Sequence, residues 1–251
     1  MKIIAANDFF GEERYLGPLR NVIEEGDYDL FVYSGGLSTG NKSINEYLNS
    51  KLDGREPDKE KEDIQDEIED KKEDMILFMD FVDDLEIPSI IVPGRTDSPL
   101  SEYEDIVRER AEKNSDIHYL HFKFVNMGGF LFSGCGGLLG QESESYFQVM
   151  VDFDKVKEMM QNLKTYKREK ILILQTPPSF AFEEDIADEY VDHIIDMVEP
   201  KILFYGMGEP KKKLRVMNNT ITVNPGPLSD GNYVTINTKN MNIRFKNLEE
   251  M

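Results

Sequence analysis

The sequence is short of basic charge. In 251 residues it has 29 Lys plus Arg against 49 Asp plus Glu, a net charge of −20. Nucleic acid and anionic membrane surfaces reward clustered Lys and Arg, so neither is expected as a direct partner unless a local basic patch overrules the average. It has one cysteine, which rules out an internal disulfide and a disulfide-stapled scaffold. No run approaches the roughly 18 apolar residues of a membrane span. The opening MKIIAANDFF reaches Asp8 after a short apolar stretch, without the longer apolar region and small-residue cleavage site of a secretory leader. The expectation is a cytoplasmic chain that contacts neither membrane nor nucleic acid. With 39% hydrophobic residues and 31% charged ones, it is long enough to bury a core under a well-solvated surface.

Short apolar runs alternate with longer amphipathic ones, and most short runs stop at glycine or proline. Strands are expected at Lys2–Ala6, Asp29–Tyr33, Ser89–Val92, Lys170–Leu174 and Lys201–Tyr205, with a broken strand region at Ile117–Ser133. Helices are expected at Glu13–Glu25, Leu100–Lys113, Asp152–Thr165 and Glu183–Val198, and a helical region ends in MILFMDFVDDL. From Lys213 to about Lys246 the pattern is strands joined by turns. Strand–helix alternation with extra antiparallel pairing predicts an α/β fold, two packed sheets with helices outside.

The segment from Arg55 to Asp74 stands apart, with five basic and eleven acidic residues. It reads as a charged helical extension at about 50–75, a solvated face laced with i,i+4 pairs such as Glu67–Lys71. The alternative is an acidic arm that binds a partner.

In α/β sheets, chemistry collects at the carboxyl ends of parallel strands. Those ends carry Asn7-Asp8-Phe9-Phe10-Gly11, Ser34-Gly35-Gly36-Leu37, Pro93-Gly94-Arg95-Thr96-Asp97, Gln175-Thr176-Pro177-Pro178 and Gly206-Met207-Gly208-Glu209. In order and surroundings these five loops resemble the calcineurin-like metallophosphoesterases, and Asn224-Pro225-Gly226 resembles that family's C-terminal signature. The resemblance covers nearly the whole chain and implies a four-layer αββα sandwich of two mixed sheets. It also implies a site of two divalent metals that clamp a phosphate ester.

The family's ligands are mostly replaced. Asp8 keeps the first aspartate, but Phe10 stands at the first histidine and Gly36 at the aspartate shared by both metals. Arg95 replaces the asparagine and brings a fixed positive charge. Thr96 replaces the histidine expected as general acid, Gln175 the next metal histidine, and Met207 and Glu209 the last two. Asp97 is retained in a supporting position. The histidines, His118, His121 and His193, lie away from these loops and read as structural or surface residues.

The expectation is a metal-free pseudoenzyme with no cofactor, binding a small anionic ligand or a protein partner at the remodelled loop face. A phosphatase or phosphodiesterase with an altered site on Asp8, Asp97 and Glu209 is the alternative, with weak Mg²⁺ or Mn²⁺ binding at Asp8 and Glu209. Arg95 either pairs with Asp8 or Glu209, or joins the glycine loops in an anion pocket that Phe9, Phe10 and Met207 would make apolar.

Three other features read as structural. Gly35–Ser43 approaches a phosphate-binding P-loop, but Asn41 separates Gly40 from Lys42, where that loop needs lysine directly after glycine. Cys135 lacks the arginine six residues on that a cysteine phosphatase would need, since Gln141 stands there. Lys211-Lys212-Lys213 reads as a surface turn.

Overall fold

The computed structural model describes residues 1–141, 145–181, 189–207 and 213–250. A first sheet contains β1 (Lys2–Ala6), β2 (Leu30–Tyr33), β3 (Ser89–Ile91) and β4 (Ile117–Tyr119) in parallel. β13 (Asn232–Asn237) and β14 (Asn242–Asn247) extend it antiparallel, in the order β14-β13-β1-β2-β3-β4. The second sheet is built from β5 (Lys123–Met127), β6 (Phe130–Cys135), β9 (Lys170–Leu174), β10 (Ile202–Tyr205), β11 (Leu214–Met217) and β12 (Thr220–Val223). Its order is β11-β12-β10-β9-β6-β5, with β5 and β11 as antiparallel edges. A two-stranded ladder joins β7 (Leu138–Gly140) to β8 (Met150–Asp152).

The central strands β1, β2, β3, β9 and β10 are apolar on both faces because both faces of each sheet are covered there. Ile3, Ala5, Val32, Ile90, Phe132, Ile173, Phe204 and Val234 meet in a dry core between the sheets. Ile4, Phe31, Tyr33, Ile91, Leu172 and Leu203 face outward under the helices. Outside the first sheet lie α1 (Leu16–Glu25), α3 (Glu62–Asp83) and α4 (Leu100–Lys113). Phe78 and Phe81 of α3 pack on Tyr33 and Phe31, with centroids at 4.3 and 6.0 Å. α5 (Phe153–Lys164) and α6 (Tyr190–Val198) pack together and cover the second sheet. The result is the four-layer αββα sandwich expected from the sequence. No helix among the described residues is long and apolar enough to cross a membrane.

Local chemistry explains most element limits. Asp152 caps α5, its Oδ1 accepting the amides of Asp154 and Lys155 at 2.8 and 3.3 Å. The first part of the expected 183–198 helix lies outside the described residues, and α6 begins at Tyr190.

The charged segment is not a solvated face where it matters most. α2 (Asn41–Asp53) and the first turns of α3 close over Ile64, Ile68 and Phe147, a small apolar cluster of their own. Glu67 and Lys71 do pair, at 3.7 Å, but Lys71 is only 1% exposed. Glu46 is buried as well and holds Arg55 at 2.5 Å, the amide of Asp58 at 2.9 Å and Lys61. These hydrogen bonds hold its carboxyl below the usual range.

Candidate functional site

The parallel strands of both sheets end on one side, and the loops that leave them are pressed together. The Asn7–Gly11 loop runs beside the loop after β2. The Asp8 amide donates to Gly35 O at 2.9 Å, Phe10 to Gly36 O at 3.3 Å and Gly11 to Leu37 O at 3.1 Å. Asn224, after β12, donates to Gly206 O at 3.1 Å, and Leu228 and Ser229 donate to the carbonyls of Asn7 and Asp8. Asp8, Phe10 and Met207 take φ of 52°, 51° and 69°. A side chain in the left-handed region costs about 1–2 kcal/mol, so backbone strain gathers at this end of the sheets.

Asp97 is the anchor. It is fully buried, with Oδ1 accepting the amides of Leu37 (2.7 Å) and Ser38 (3.4 Å) and Oδ2 those of Gly36 (3.2 Å) and Gly94 (2.6 Å). Burial pushes its pKa up, and the four donors pull it back without prevailing. Below the loop, the Tyr33 hydroxyl donates to Gly36 O at 2.8 Å and accepts the Phe9 amide at 3.0 Å. Phe9 does not line a pocket as expected. It is buried against Phe78 at 5.4 Å and acts as a floor.

Asp8 is fully buried and accepts the Asn7 side-chain amide at 2.8 Å. Gly36 faces it so closely that a β-carbon there would lie 2.2 Å from Asp8 Oδ1 and 3.0 Å from its Cα. On the other side, a β-carbon on Gly94 would meet Gly36 N at 2.1 Å. The glycines let three backbones occupy the volume that side chains would need.

Arg95 does not pair with Asp8. Its Nε donates to Gln148 Oε1 at 2.8 Å and its amide to Gln175 Oε1 at 3.1 Å. Its guanidinium makes no ion pair among the described residues. Burial lowers its pKa, with nearby Tyr47 opposing, yet guanidinium remains charged at any working pH. Glu209, Lys211 and Lys212 lie outside the described residues. Of the histidines, His121 accepts the Gly136 amide at Nδ1 (3.2 Å), while His118 and His193 lie on β4 and α6.

Sequence reasoning missed a second layer behind the loops. Glu67 of α3 accepts the Lys42 and Ser43 amides at 2.7 and 2.8 Å, so the start of α2 already holds an anion. That is where the P-loop-like stretch would have needed phosphate. Lys71 Nζ lies 3.2 Å from Ser98 Oγ and 3.4 Å from Ser43 Oγ. Burial lowers its pKa, opposed by the charges of Glu67 and Asp97. One signal could have found it: Lys71 falls in the stripe Ile64, Ile68, Met75, Phe78, Val82, an apolar position filled by a cation. Asp74, whose carboxylate crowds Gly11, was missed too.

A family model for the metallophosphoesterases of the calcineurin superfamily matches residues 1–248. The chain belongs to this family. A solved crystal structure 26% identical to it, with 98% of each chain covered, superposes with a TM-score of 0.88. A Thermus thermophilus protein is 19% identical over 98% of each chain, with a TM-score of 0.77. A dimetal phosphatase from Danio rerio is 10% identical, with 99% of this chain and 96% of that one covered and a TM-score of 0.63. These last two share the fold. No curated protein matches by sequence.

Metallophosphoesterases of this family typically depend on two metals, and the donors described here do not fit that pair. Both oxygens of Asp97 are committed to backbone amides, and Gln175 Oε1 accepts from the Arg95 amide. Phe10, Gly36 and Met207 offer no hard ligand. Among the described residues no three His, Cys, Asp or Glu side chains converge on a point that would hold an ion.

Proposed function

We propose that this metallophosphoesterase is a metal-free pseudoenzyme whose loop face binds a small anionic ligand instead of hydrolysing a phosphoester. The observation that carries the reading is the 2.2 Å approach of a Gly36 β-carbon to Asp8 Oδ1. The volume of the shared aspartate is taken up by the Asp8 carboxylate, with the Asp8 Cα behind it at 3.0 Å. Charge supports the same reading. Where the family has a neutral ligand to a cation, this chain has Arg95, held by Gln148 through Nε and without an ion pair among the described residues. A guanidinium so placed repels a divalent metal and attracts a phosphate or carboxylate, which it can grip with two parallel bonds. Buried polar atoms at the same loop ends, Asn7 Oδ1, Ser34 Oγ, Ser38 Oγ and Thr96 Oγ1, have no hydrogen-bond partner among the described residues. Such atoms mark places where water or a ligand completes the structure. Asp97 cannot serve an altered metal site without releasing two loops, which weighs against the hydrolytic alternative.

The test is a calorimetric titration of chelator-stripped protein with Mn²⁺, paired with turnover of bis(p-nitrophenyl) phosphate. The expected result is no saturable Mn²⁺ binding, no chelator-sensitive turnover, and inorganic phosphate binding that Arg95→Gln weakens. Two bound Mn²⁺ with chelator-sensitive hydrolysis, abolished in Asp8→Asn, would overturn the proposal.

A further inference from the structure

The two ends of β1 carry different chemistry. Asp8 follows its carboxyl end, while Lys2 opens its amino end, on the order of 20 Å away at about 3.3 Å per residue. The outer face of the sheet is open there, with Lys2, Arg244 and Lys246 exposed. The strand register sets Asn237 beside Lys2, Arg244 beside Thr235 and Lys246 beside Tyr233. Lys2, Tyr28, Thr235, Asn237, Arg244 and Lys246 line a cavity of about 250 Å³.

Its charge runs against the net −20 of the chain. Several cations elsewhere sit on acids: Arg20 on Asp84, Lys72 on Glu69 and Glu102, Arg110 on Asp80, Lys201 on Glu169. In the cavity only Lys2 is so paired, at 3.0 Å to Asp27, which is 95% exposed. Arg244 and Lys246 have no acid within 4.0 Å among the described residues. Asp29 is committed to the Lys2 amide at 2.7 Å and to the N-terminal ammonium at 4.0 Å. The wall offers a guanidinium fork and two ammonium groups, with side-chain amides and hydroxyls that can donate beside them. Burial raises the pKa of Tyr28, and the positive charges of Lys2 and Arg244 pull it back.

We propose that this cavity is a second ligand site, for a compact phosphate-type oxyanion such as pyrophosphate or the phosphate of a monoester. Arg244 takes two oxygens in parallel, and Lys246 and Lys2 act as point charges on the others. The volume falls short of the roughly 300–1,000 Å³ of a site for a drug-sized ligand, so it suits the anion itself and not a nucleoside attached to it. Arg244 and Lys246 are exposed and their strand is an edge, so the site is open without rearrangement.

The experiment is a calorimetric titration of the full chain with pyrophosphate at low salt, in wild type, in Arg95→Gln and in the exposed double variant Arg244→Gln/Lys246→Gln. The expected result is binding that the double variant weakens about tenfold or more and that added salt weakens too, with Arg95→Gln retaining it. Co-sedimentation with phosphatidylcholine vesicles containing phosphatidic acid separates the two sources of such a phosphate. Pelleting that depends on Arg244 and Lys246 assigns the site to a lipid headgroup, and its absence assigns it to a free anion. No pyrophosphate binding up to millimolar concentration, or binding lost in Arg95→Gln and kept in the double variant, would overturn the proposal.

Discussion

Restoring the shared aspartate should damage this protein instead of reviving a metal site. Gly36→Asp puts a β-carbon on a residue with φ of 86°, which costs about 1–2 kcal/mol. That carbon would lie 2.2 Å from Asp8 Oδ1, so the carboxylate, whose Oδ2 accepts the Asn7 amide at 2.8 Å, must shift by roughly 1 Å, and such overpacking costs about 1–3 kcal/mol. A second buried carboxylate beside the first adds like-charge repulsion. The loss is about 2–5 kcal/mol, and at roughly 2–4 °C per kcal/mol for a chain of this size the melting temperature falls by about 4–20 °C. Calorimetric melts in chelator and in excess Mn²⁺ check both signs. A rebuilt site would gain about 2.7 kcal/mol at a hundredfold excess of Mn²⁺ over its dissociation constant. Gly17→Ala is the control, since a β-carbon on that α1 glycine meets nothing within 4 Å, and its melt should be unchanged or slightly raised. A Gly36→Asp protein that melts like wild type in chelator and gains stability in Mn²⁺ would refute the steric argument.

Further outcomes follow from the buried charges. Lys71→Met strands the Glu67 carboxylate and should cost about 3–5 kcal/mol in urea unfolding, with Glu67→Gln in the same chain restoring part; a single-variant loss below about 1 kcal/mol would mean that the pair does little. Burial pushes Glu67 up, but Ser43, the Lys42 and Ser43 amides and Lys71 together hold it below its usual value. Its contribution is therefore full above the ordinary glutamate pKa and lost as pH falls through the lowered one. Asp74 is raised to about 6 by burial and by the charges of Asp70, Glu73 and Asp97, so its contribution is full below the unfolded value and lost as pH rises towards 6. Asp74→Asn should gain about 1–2 kcal/mol at pH 7.5, after discounting for partial exposure, and the gain should shrink in melts at pH 5. His121 is lowered to about 4, first by burial and then by Lys123. It should stay neutral in NMR titration down to that pH, and stability should be lost as pH falls from about 6.5 to 4.

The sequence made the order of elements readable because glycine and proline punctuate the strand ends. The limits of Leu100–Lys113 coincide with those of α4, where apolar spacing and a Pro99 entry leave little freedom. Asp8, Gly36, Arg95, Asp97 and Gln175 could be placed at one end of the sheets because α/β topology brings parallel strand ends together. How closely they approach could not be read. The Gly36–Asp8 and Gly94–Gly36 distances arise from packing between loops far apart in sequence, and nothing local encodes them. Arg95 shows the same limit: its partner Gln148 lies in a stretch whose polar residues look like any surface turn. The charged segment was misread because composition averages over faces. Its outward residues are solvated, whereas Glu67 and Lys71 sit in phase with Ile64 and Ile68 and go inward with them.

The four amides that end on Asp97 have a consequence for timing. Loop amides ordinarily exchange with solvent deuterium in isolation, each at the rate of its own local fluctuation. Here the Gly36, Leu37, Ser38 and Gly94 amides converge on one buried carboxylate, so the loops after β2 and β3 open together when Asp97 withdraws. The four should therefore exchange slowly and in concert, as a single clock that deuterium exchange can read. A ligand at the proposed loop face would meet a plate whose shape is set beforehand.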